Sequence, residues 1–319
     1  MTVQAVSGPG RKAMTYAYPL AAAIVVCVLL GALWVYAPNF FRFSNVMNVL
    51  LQASILGLLA IGMSAVLITG GIDLSMPANM ALSAVLGALA MRTTGNPLVG
   101  PPIMLAVGTA LGAVNGFAVA KLRMIPFVVT LSTMTVASGL CVWLTNSTSV
   151  TGLPKSYAEV LLAKPFGLSV AVIVLIVTTA GVGFLLQRGI AGRYLYAVGL
   201  NARAARIARV PVTAVTGGVY LFSGFMAGLT GILLTARLGS ASANMGADAL
   251  TLDIIASCVV GGVSTFGGVG RIHGAVLGAV LITILSNALN LAGVSFYFGL
   301  VLKGTLIIAF VASERRWRR

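Results

Sequence analysis

Charged residues and histidine are scarce in this 319-residue chain. Only 8% of the residues are charged, and there is a single histidine. The chain has five acidic residues and 20 lysines and arginines. So little charge excludes a water-soluble domain of this length. It also argues against a membrane enzyme, because the sequence contains no clustered His, Asp and Glu set, no nucleophile–base pair and no metal-ligand spacing. We therefore expect no metal and no cofactor.

Cysteine is nearly as rare, and a nucleotide-binding motif is missing. The three cysteines lie within apolar runs without the spacing of a disulfide framework or a metal site, so we interpret them as packing residues: Cys27, Cys141 and Cys258. No Lys-Ser/Thr follows the glycines of the run 261–270 at the spacing of a phosphate-binding loop. The chain itself is therefore not expected to bind ATP.

Apolar residues are abundant instead, at 59% of the chain with a mean hydropathy of +1.05. Repeated apolar runs of about 20 residues are typical of membrane helices. The sequence thus predicts an all-α polytopic membrane protein with a single transmembrane domain over residues 1–319 and ten transmembrane helices. The ten spans are predicted at about 18–37, 46–69, 76–91, 98–120, 125–145, 167–187, 212–236, 251–267, 273–291 and 296–312.

The placement of the basic residues supports this number of spans. With the N-terminus inside, 14 lysines and arginines fall in inner segments and 5 in outer segments. That asymmetry predicts that the tails at 1–15 and 313–319 both lie in the cytoplasm. The blocks 46–146 and 212–312 have equal length and start from opposite sides, which predicts an inverted repeat.

The longest segment that cannot lie in lipid is the loop 188–211. It carries five arginines and no acid. Residues 203–209 are predicted to form a short helix, with Asn201 as its N-cap. We interpret this loop as the place where another protein applies force to the membrane domain.

A helix-breaking stretch, Gly70-Gly71-Ile72-Asp73-Leu74-Ser75 with Pro77 behind it, joins the second and third spans. One interpretation is a tight turn in which Asp73 or Ser75 caps the next helix. The other is a broken segment that faces the substrate route. The third span, at about 16 residues, would cover roughly 24 Å, less than a hydrocarbon core of about 30 Å, and this favours the second interpretation.

Glycine also marks the connection between the eighth and ninth spans and two predicted helix interfaces. The first is interpreted as a hinge or re-entrant loop near the cytoplasmic face, with Gly261, Gly262, Gly267 and Gly268. Glycines four residues apart elsewhere predict close helix packing, at Gly108, Gly112 and Gly116 and at Gly224 and Gly228.

Asp253 and Lys303 are charged residues in or next to predicted spans, and inserting each charge near a bilayer centre would cost about 2.5–3.5 kcal/mol. Either they pair, or Lys303 extends to the interface while Asp253 caps its helix. Together with Asp73 and Ser75 they are the candidate residues of the substrate pathway. An ion-coupled secondary transporter that works without an ATPase is the alternative function, although membrane carboxylates limited to Asp73 and Asp253 argue mildly against it.

Several motifs in order and spacing resemble the membrane permease subunits of ribose-type ABC sugar importers, from about residue 46 onward. They are GMSAVLITGGIDLS, IPFVVTLSTMT, YAVGLNARAAR, LTGILLTARLGSA, LDIIASCVVGGVSTFGG and LNLAGVSFYFGLVLKG. The resemblance implies a type II importer fold, a homodimer around one pathway, cytoplasmic ATP-binding subunits and a periplasmic sugar-binding protein. The chain would then be no enzyme itself, and the cargo would be a monosaccharide or related small polyol.

The same resemblance implies that the loop 188–211 docks in a groove of the ATPase. The matching positions are Gly199, Asn201, Ala204, Ala205 and Arg206, and Arg209 stands beside them where the family has a small residue. The outer segments 145–166 and 238–250 are expected to meet the binding protein, with Lys155 and Lys164 available to its acids.

Overall fold

The computed structural model describes residues 38–246, 248–295, 297–305 and 308. Regular structure in these residues is helical, apart from an isolated backbone pairing between Val150 and Ala241. The helices are α1 (Phe43–Ile68), α2 (Met76–Thr94), α3 (Gly100–Ala120), α4 (Pro126–Thr145), α5 (Lys155–Leu161), α6 (Val170–Arg188), α7 (Ile190–Leu200), α8 (Ala202–Ile207), α9 (Val212–Leu238), α10 (Asp248–Val260), α11 (Ile272–Leu291) and α12 (297–305).

Helix α1 is the centre of the bundle. Every residue from Ala53 to Ile68 is buried, and α6, α9, α10 and α11 all pack against it. A helix that is apolar on all sides can be satisfied only in such a position or in lipid. By contrast α4 and α6 bury few of their apolar residues, as expected for helices that face lipid.

The prediction of a polytopic helical membrane protein is confirmed. Seven segments within the described residues are long and apolar enough to cross a membrane: Phe43–Ile68, Gly100–Ala120, Pro126–Thr145, Val170–Arg188, Val212–Leu238, Ala243–Val260 and Ile272–Leu291. The predicted span 18–37 lies outside the described residues, and the one at 296–312 is described only in part. Helix α2 is less apolar because it carries the buried polar side chains of Asn79 and Ser83.

Two predicted boundaries were wrong. Helix α2 has 19 residues rather than 16, so it covers about 28 Å and its length no longer places the preceding break inside the membrane. Helix α10 ends at Val260 rather than at 267. Gly262 there adopts φ +78°, and the amide of Val263 donates to the carbonyl of Cys258, which is a common way to end a helix.

Two short helices, α5 and α7, lie in segments that were predicted as loops. The cysteine interpretation is confirmed where the chain is described, because Cys141 and Cys258 are buried free thiols. Cys27 lies outside the described residues.

The predicted close packing through glycine is confirmed between α3 and α9. A Cβ added at Gly108 would lie 2.5 Å from the carbonyl oxygen of Gly224 and 2.8 Å from the amide of Gly228. A Cβ at Gly116 would lie 2.6 Å from the carbonyl oxygen of Gly217. The two backbones therefore meet directly. Close packing of this kind holds helices together in lipid, where the hydrophobic effect does not drive their association.

This contact predicts that Gly224→Ala destabilises the bundle. The new methyl group would overlap the Gly108 carbonyl oxygen and lie 2.8 Å from the Gly112 Cα, so we expect a loss of about 1–3 kcal/mol from overpacking. The measurement is thermal unfolding of the detergent-purified protein.

Gly218→Ala is the matched control on the same helix, because nothing lies within 4 Å of its added Cβ. Equal unfolding temperatures for the two variants would contradict the close packing.

Candidate functional site

Asp73 lies at the centre of a buried hydrogen-bond network and is 1% exposed. One carboxylate oxygen accepts from the Ser75 amide at 3.0 Å and from the Ser75 hydroxyl at 2.6 Å. The other accepts from the Ser223 hydroxyl of α9 at 2.6 Å. The break between α1 and α2 is therefore tied directly to α9.

The network reaches α3 as well. The Asn115 side-chain amide donates to the Ser75 hydroxyl oxygen at 2.8 Å, so Asn115, Ser75 and Asp73 form a chain of donors and acceptors. The Tyr220 hydroxyl on α9 donates to the carbonyl of Ile72 at 3.3 Å. Two helices, α3 and α9, thus hold this break in one geometry.

Ser75 does occupy the N-cap position of α2, but its side chain makes no capping bond because it donates to Asp73. The first of the two interpretations is thus met in the backbone but not in the side chain. A role of Asp73 and Ser75 in the substrate pathway stays a prediction.

The loop 188–211 contains α7 and α8, and Asn201 is the N-cap of α8 as predicted. Its side-chain oxygen accepts from the amides of Arg203 and Ala204, each at 3.0 Å. The five arginines of this loop are all exposed, as are Asn201 and Ala204, whereas Ala205 is buried. A basic, ordered surface therefore projects from this end of the bundle.

The predicted helix at 203–209 extends too far. Helix α8 ends at Ile207, and Arg209 lies beyond it with φ +59°. The amide of Val210 donates to the Ala205 carbonyl and that of Arg209 to the Arg206 carbonyl, a terminating pattern that usually has glycine at the left-handed position.

Four of the predicted glycines meet at one point, which we call the glycine junction: Gly70, Gly199, Gly267 and Gly268. The Gly268 amide donates to the carbonyl of Ile68, the last residue of α1, at 2.8 Å. A Cβ at Gly199 would overlap that carbonyl oxygen, and a Cβ at Gly267 would lie 3.0 Å from both Gly199 O and Gly70 Cα. The loop 188–211, the break after α1 and the glycine-rich loop 261–271 therefore touch backbone to backbone.

The remaining predicted hinge residues lie around this junction and at the helix ends. Gly71 faces the Tyr220 hydroxyl, which an added Cβ would approach to 2.5 Å. Pro77 is the second residue of α2. Gly261 packs against Gly274 of α11, and Gly262 ends α10.

Tyr196 adds a polar link between α7 and the glycine-rich loop. Its hydroxyl donates to the Gly270 carbonyl at 2.7 Å. Burial raises the pKa of Tyr196, with nearby Arg271 acting in the opposite direction, so the phenol stays a donor at neutral pH. An open cavity of about 990 Å³ lies between these elements and is lined by Arg193, Tyr196 and Arg271.

Asp253 of α10 and Lys303 of α12 pair, which resolves the two alternatives left open by the sequence. The Lys303 ammonium lies 2.9 Å from each carboxylate oxygen, and it donates a hydrogen bond to Oδ2. The side chain of Lys303 is 11% exposed and that of Asp253 is 19% exposed. Each charge therefore offsets the desolvation of the other.

The described parts of the segments 145–166 and 238–250 meet near the start of α1, at the opposite end of this helix from the junction. Val150 and Ala241 exchange backbone hydrogen bonds at 2.7 and 3.0 Å. The Tyr157 hydroxyl donates to the Ile232 carbonyl at 2.7 Å, and burial raises the pKa of Tyr157. Lys155 and Lys164 are exposed on this surface.

Sequence reasoning missed Asn115, Tyr220 and Ser223, the partners that hold the break. A signal was present for two of them, because Asn115 and Ser223 are polar residues inside predicted spans, where such residues usually have a defined partner. Among the residues that the structure describes, no group of three His, Cys, Asp or Glu side chains could hold a metal.

Comparison with known proteins adds independent information. Residues 45–311 match the family described as the branched-chain amino acid transport system permease component. The ribose import permease protein of Escherichia coli strain K12 is 35% identical, with 99% of each chain covered. That of Bacillus subtilis strain 168 is 37% identical over 88% of this chain and 87% of the relative.

A third relative is the D-allose transport system permease protein of Escherichia coli strain K12, which is 35% identical over 92% of this chain and 89% of its own. No solved structure gave a significant match.

The buried network predicts that Asp73→Ala abolishes transport while membrane insertion stays normal. The change leaves the Ser75 and Ser223 hydroxyls and the Ser75 amide without their acceptor, at about 1–3 kcal/mol for each buried group left unpaired. Uptake in whole cells and the amount of protein in the membrane measure the two effects.

Asp73→Asn is the conservative variant, since its amide can still accept from Ser75 and donate to the Ser223 oxygen, and we expect partial activity. Wild-type uptake by Asp73→Ala would contradict a functional role.

Proposed function

The chain belongs to the family of ribose-type ABC import permeases, and from that premise we propose that it imports a monosaccharide or related small polyol. Its relatives are named as ribose and D-allose permeases, which supports a sugar as cargo. In this family the membrane permease is not the enzyme, and ATP hydrolysis lies in a separate subunit. The chain is accordingly a multi-pass inner-membrane protein that works with ATP-binding and substrate-binding partners.

The finer arrangement is part of the proposal. Ten transmembrane helices with an inverted repeat place both termini in the cytoplasm, and a second copy of the chain completes one central pathway. The basic loop 188–211 then lies on the cytoplasmic side against the ATPase. The segments 145–166 and 238–250 lie on the periplasmic side, where Lys155 and Lys164 are available to acids on the binding protein.

The observation that carries the mechanism is the glycine junction. Helix α8 presents exposed Asn201, Ala204 and Arg206 to a partner. Directly before it in the chain, Gly199 is in backbone contact with the end of α1. Closure of the ATPase against α8 would therefore push on α1 and on the break that holds Asp73, without any flexible side chain in between.

We assign the substrate pathway to the side of the bundle that carries Asp253 and Lys303. Their pairing neutralises both charges, which suits a neutral cargo better than an ion. Asp73 and Ser75 contribute to the same pathway by fixing the geometry of the α1–α2 break, with their partners on α3 and α9.

The proposal predicts that Arg206→Glu releases the ATP-binding subunit. The substitution reverses an exposed charge on α8 and leaves the Asn201 cap intact. We expect the ATPase to co-purify with the wild-type protein in mild detergent and to be lost from the variant, as measured by mass spectrometry of the purified complex.

Lys155→Glu is the matched control, because it makes the same charge change on an exposed residue of α5 at the other end of the bundle. Retention of the ATPase by Arg206→Glu would contradict the assigned contact. Uptake that collapses with an uncoupler in vesicles without any ATPase would move the function to an ion-coupled secondary transporter.

The junction predicts that Gly199→Ala uncouples ATP hydrolysis from transport. The added methyl group would overlap the Ile68 carbonyl oxygen and lie 2.6 Å from the Gly268 amide, so α7 must move away from α1. We expect the ATPase to remain bound and uptake per ATP hydrolysed to fall, measured in proteoliposomes.

Gly181→Ala on α6 has open space around its added Cβ and serves as the control. Unchanged uptake per ATP in Gly199→Ala would rule out force transmission through this contact.

A further inference from the structure

A second cavity lies near the start of α1, between that helix, the end of α11 and α12. Its volume is about 370 Å³, at the lower end of the range of small-molecule pockets, roughly 300–1,000 Å³. Its lining contains seven polar residues: Asn48, Gln52, Ser286, Asn287, Asn290, Ser295 and Lys303. We refer to it as the amide cavity.

The amides of this cavity have hydrogen-bonding capacity to spare. Asn287 is used in a reciprocal pair with Asn45, at 2.9 and 3.1 Å, which joins α1 to α11. Gln52 and Asn290 form no side-chain hydrogen bond with any residue that the structure describes. Unpaired amides are too costly to face lipid, so these side chains must face water, cargo, another copy of the chain or a part of this chain that the structure does not describe.

The chemistry of the lining selects a class of ligand. Amide groups donate and accept together, as the hydroxyl groups of a polyol do. Lys303 is the charged residue among those that line the cavity, and its ammonium is already paired with Asp253. An amino acid would need a free cationic side chain to bind its carboxylate and a free carboxylate to bind its ammonium group. A neutral polyol needs neither.

We propose that the amide cavity is the transit site for a neutral polyhydroxylated cargo, with Gln52 and Asn290 as its contact residues. This inference rests on the proposed function and adds the position and the chemistry of the site. The cavity and the glycine junction lie at opposite ends of α1, because Gln52 and Ile68 are separated by about 24 Å along the helix. Cargo therefore enters on the side away from the ATPase.

The test uses the complete importer in proteoliposomes, with D-ribose, D-allose, D-galactose and L-leucine as probes. Gln52→Met and Asn290→Leu keep the approximate side-chain size and remove the amide. We expect each variant to lower the initial rate of sugar uptake about fivefold, in line with the loss of a hydrogen bond to the cargo. Asn96→Leu is the matched control, since Asn96 is an exposed amide in the α2–α3 turn outside the cavity.

Each alternative result has a distinct meaning. Wild-type rates in both variants would overturn the transit site while sugar import stands. Slower uptake together with loss of the second permease copy in native mass spectrometry would also overturn it, because the amides would then join two copies. Import of L-leucine and of none of the sugars by the wild-type protein would overturn the proposed function and this inference with it.

Discussion

The structure depends on backbone contacts that only glycine allows. In lipid the hydrophobic effect does not drive helices together, so packing and polar contacts must do so. The hydrogen bond from Gly268 to Ile68 and the approach of Gly199 to the same carbonyl place three chain segments within van der Waals distance. The α3–α9 interface uses the same device at Gly108 and Gly224. A contact between two backbones is stiffer than one between side chains, and it transmits a displacement without rotamer changes.

Polar groups provide the second constraint, because each has to be satisfied inside the protein. Asp73 is held by Ser75 and Ser223, and Asp253 is held by Lys303. Both arrangements join elements far apart in sequence, and each would be expensive to break in a medium of low dielectric constant. The bundle is therefore cross-linked by polar contacts at both ends, with glycine contacts between them and at the junction.

Much of the architecture could be predicted from the sequence, because apolar length and basic flanks report directly on membrane helices. The cap at Asn201 was also predictable, since it depends on residues next to each other in the chain. The end of α10 was misplaced because the predicted span ran on through residues 261–267, which contain three glycines, whereas the left-handed conformation of Gly262 ends the helix at Val260. The partners of Asp73 could not be found, because which turn of α9 faces the break is set by the α3–α9 packing.

The glycine junction could not be predicted for the same reason, because it depends on how the helices pack, although each of its glycines was singled out in the sequence. Gly70, Gly199 and Gly268 stand far apart in the chain, and a glycine in a loop is more often a turn than a contact. Their contact is a property of the whole bundle, since it requires the ends of α1, α7 and α10 to lie next to one another.

Helix α1 is the element that connects these sites. Its first turns carry Asn48 and Gln52 in the amide cavity, its buried middle packs on α9 and α11, and its last carbonyl lies in the glycine junction. A buried, uniformly helical segment of this length moves as a rod, because bending it would break backbone hydrogen bonds that have no water to replace them. A push at Ile68 must therefore reappear at Gln52 as a tilt or a shift along the axis. Since α11 is fixed to α1 by the Asn45–Asn287 pair, the walls of the cavity would move together rather than independently. In the proposed mechanism, this motion would change the side of the membrane to which the cavity opens, while the residues that line the cavity stay the same.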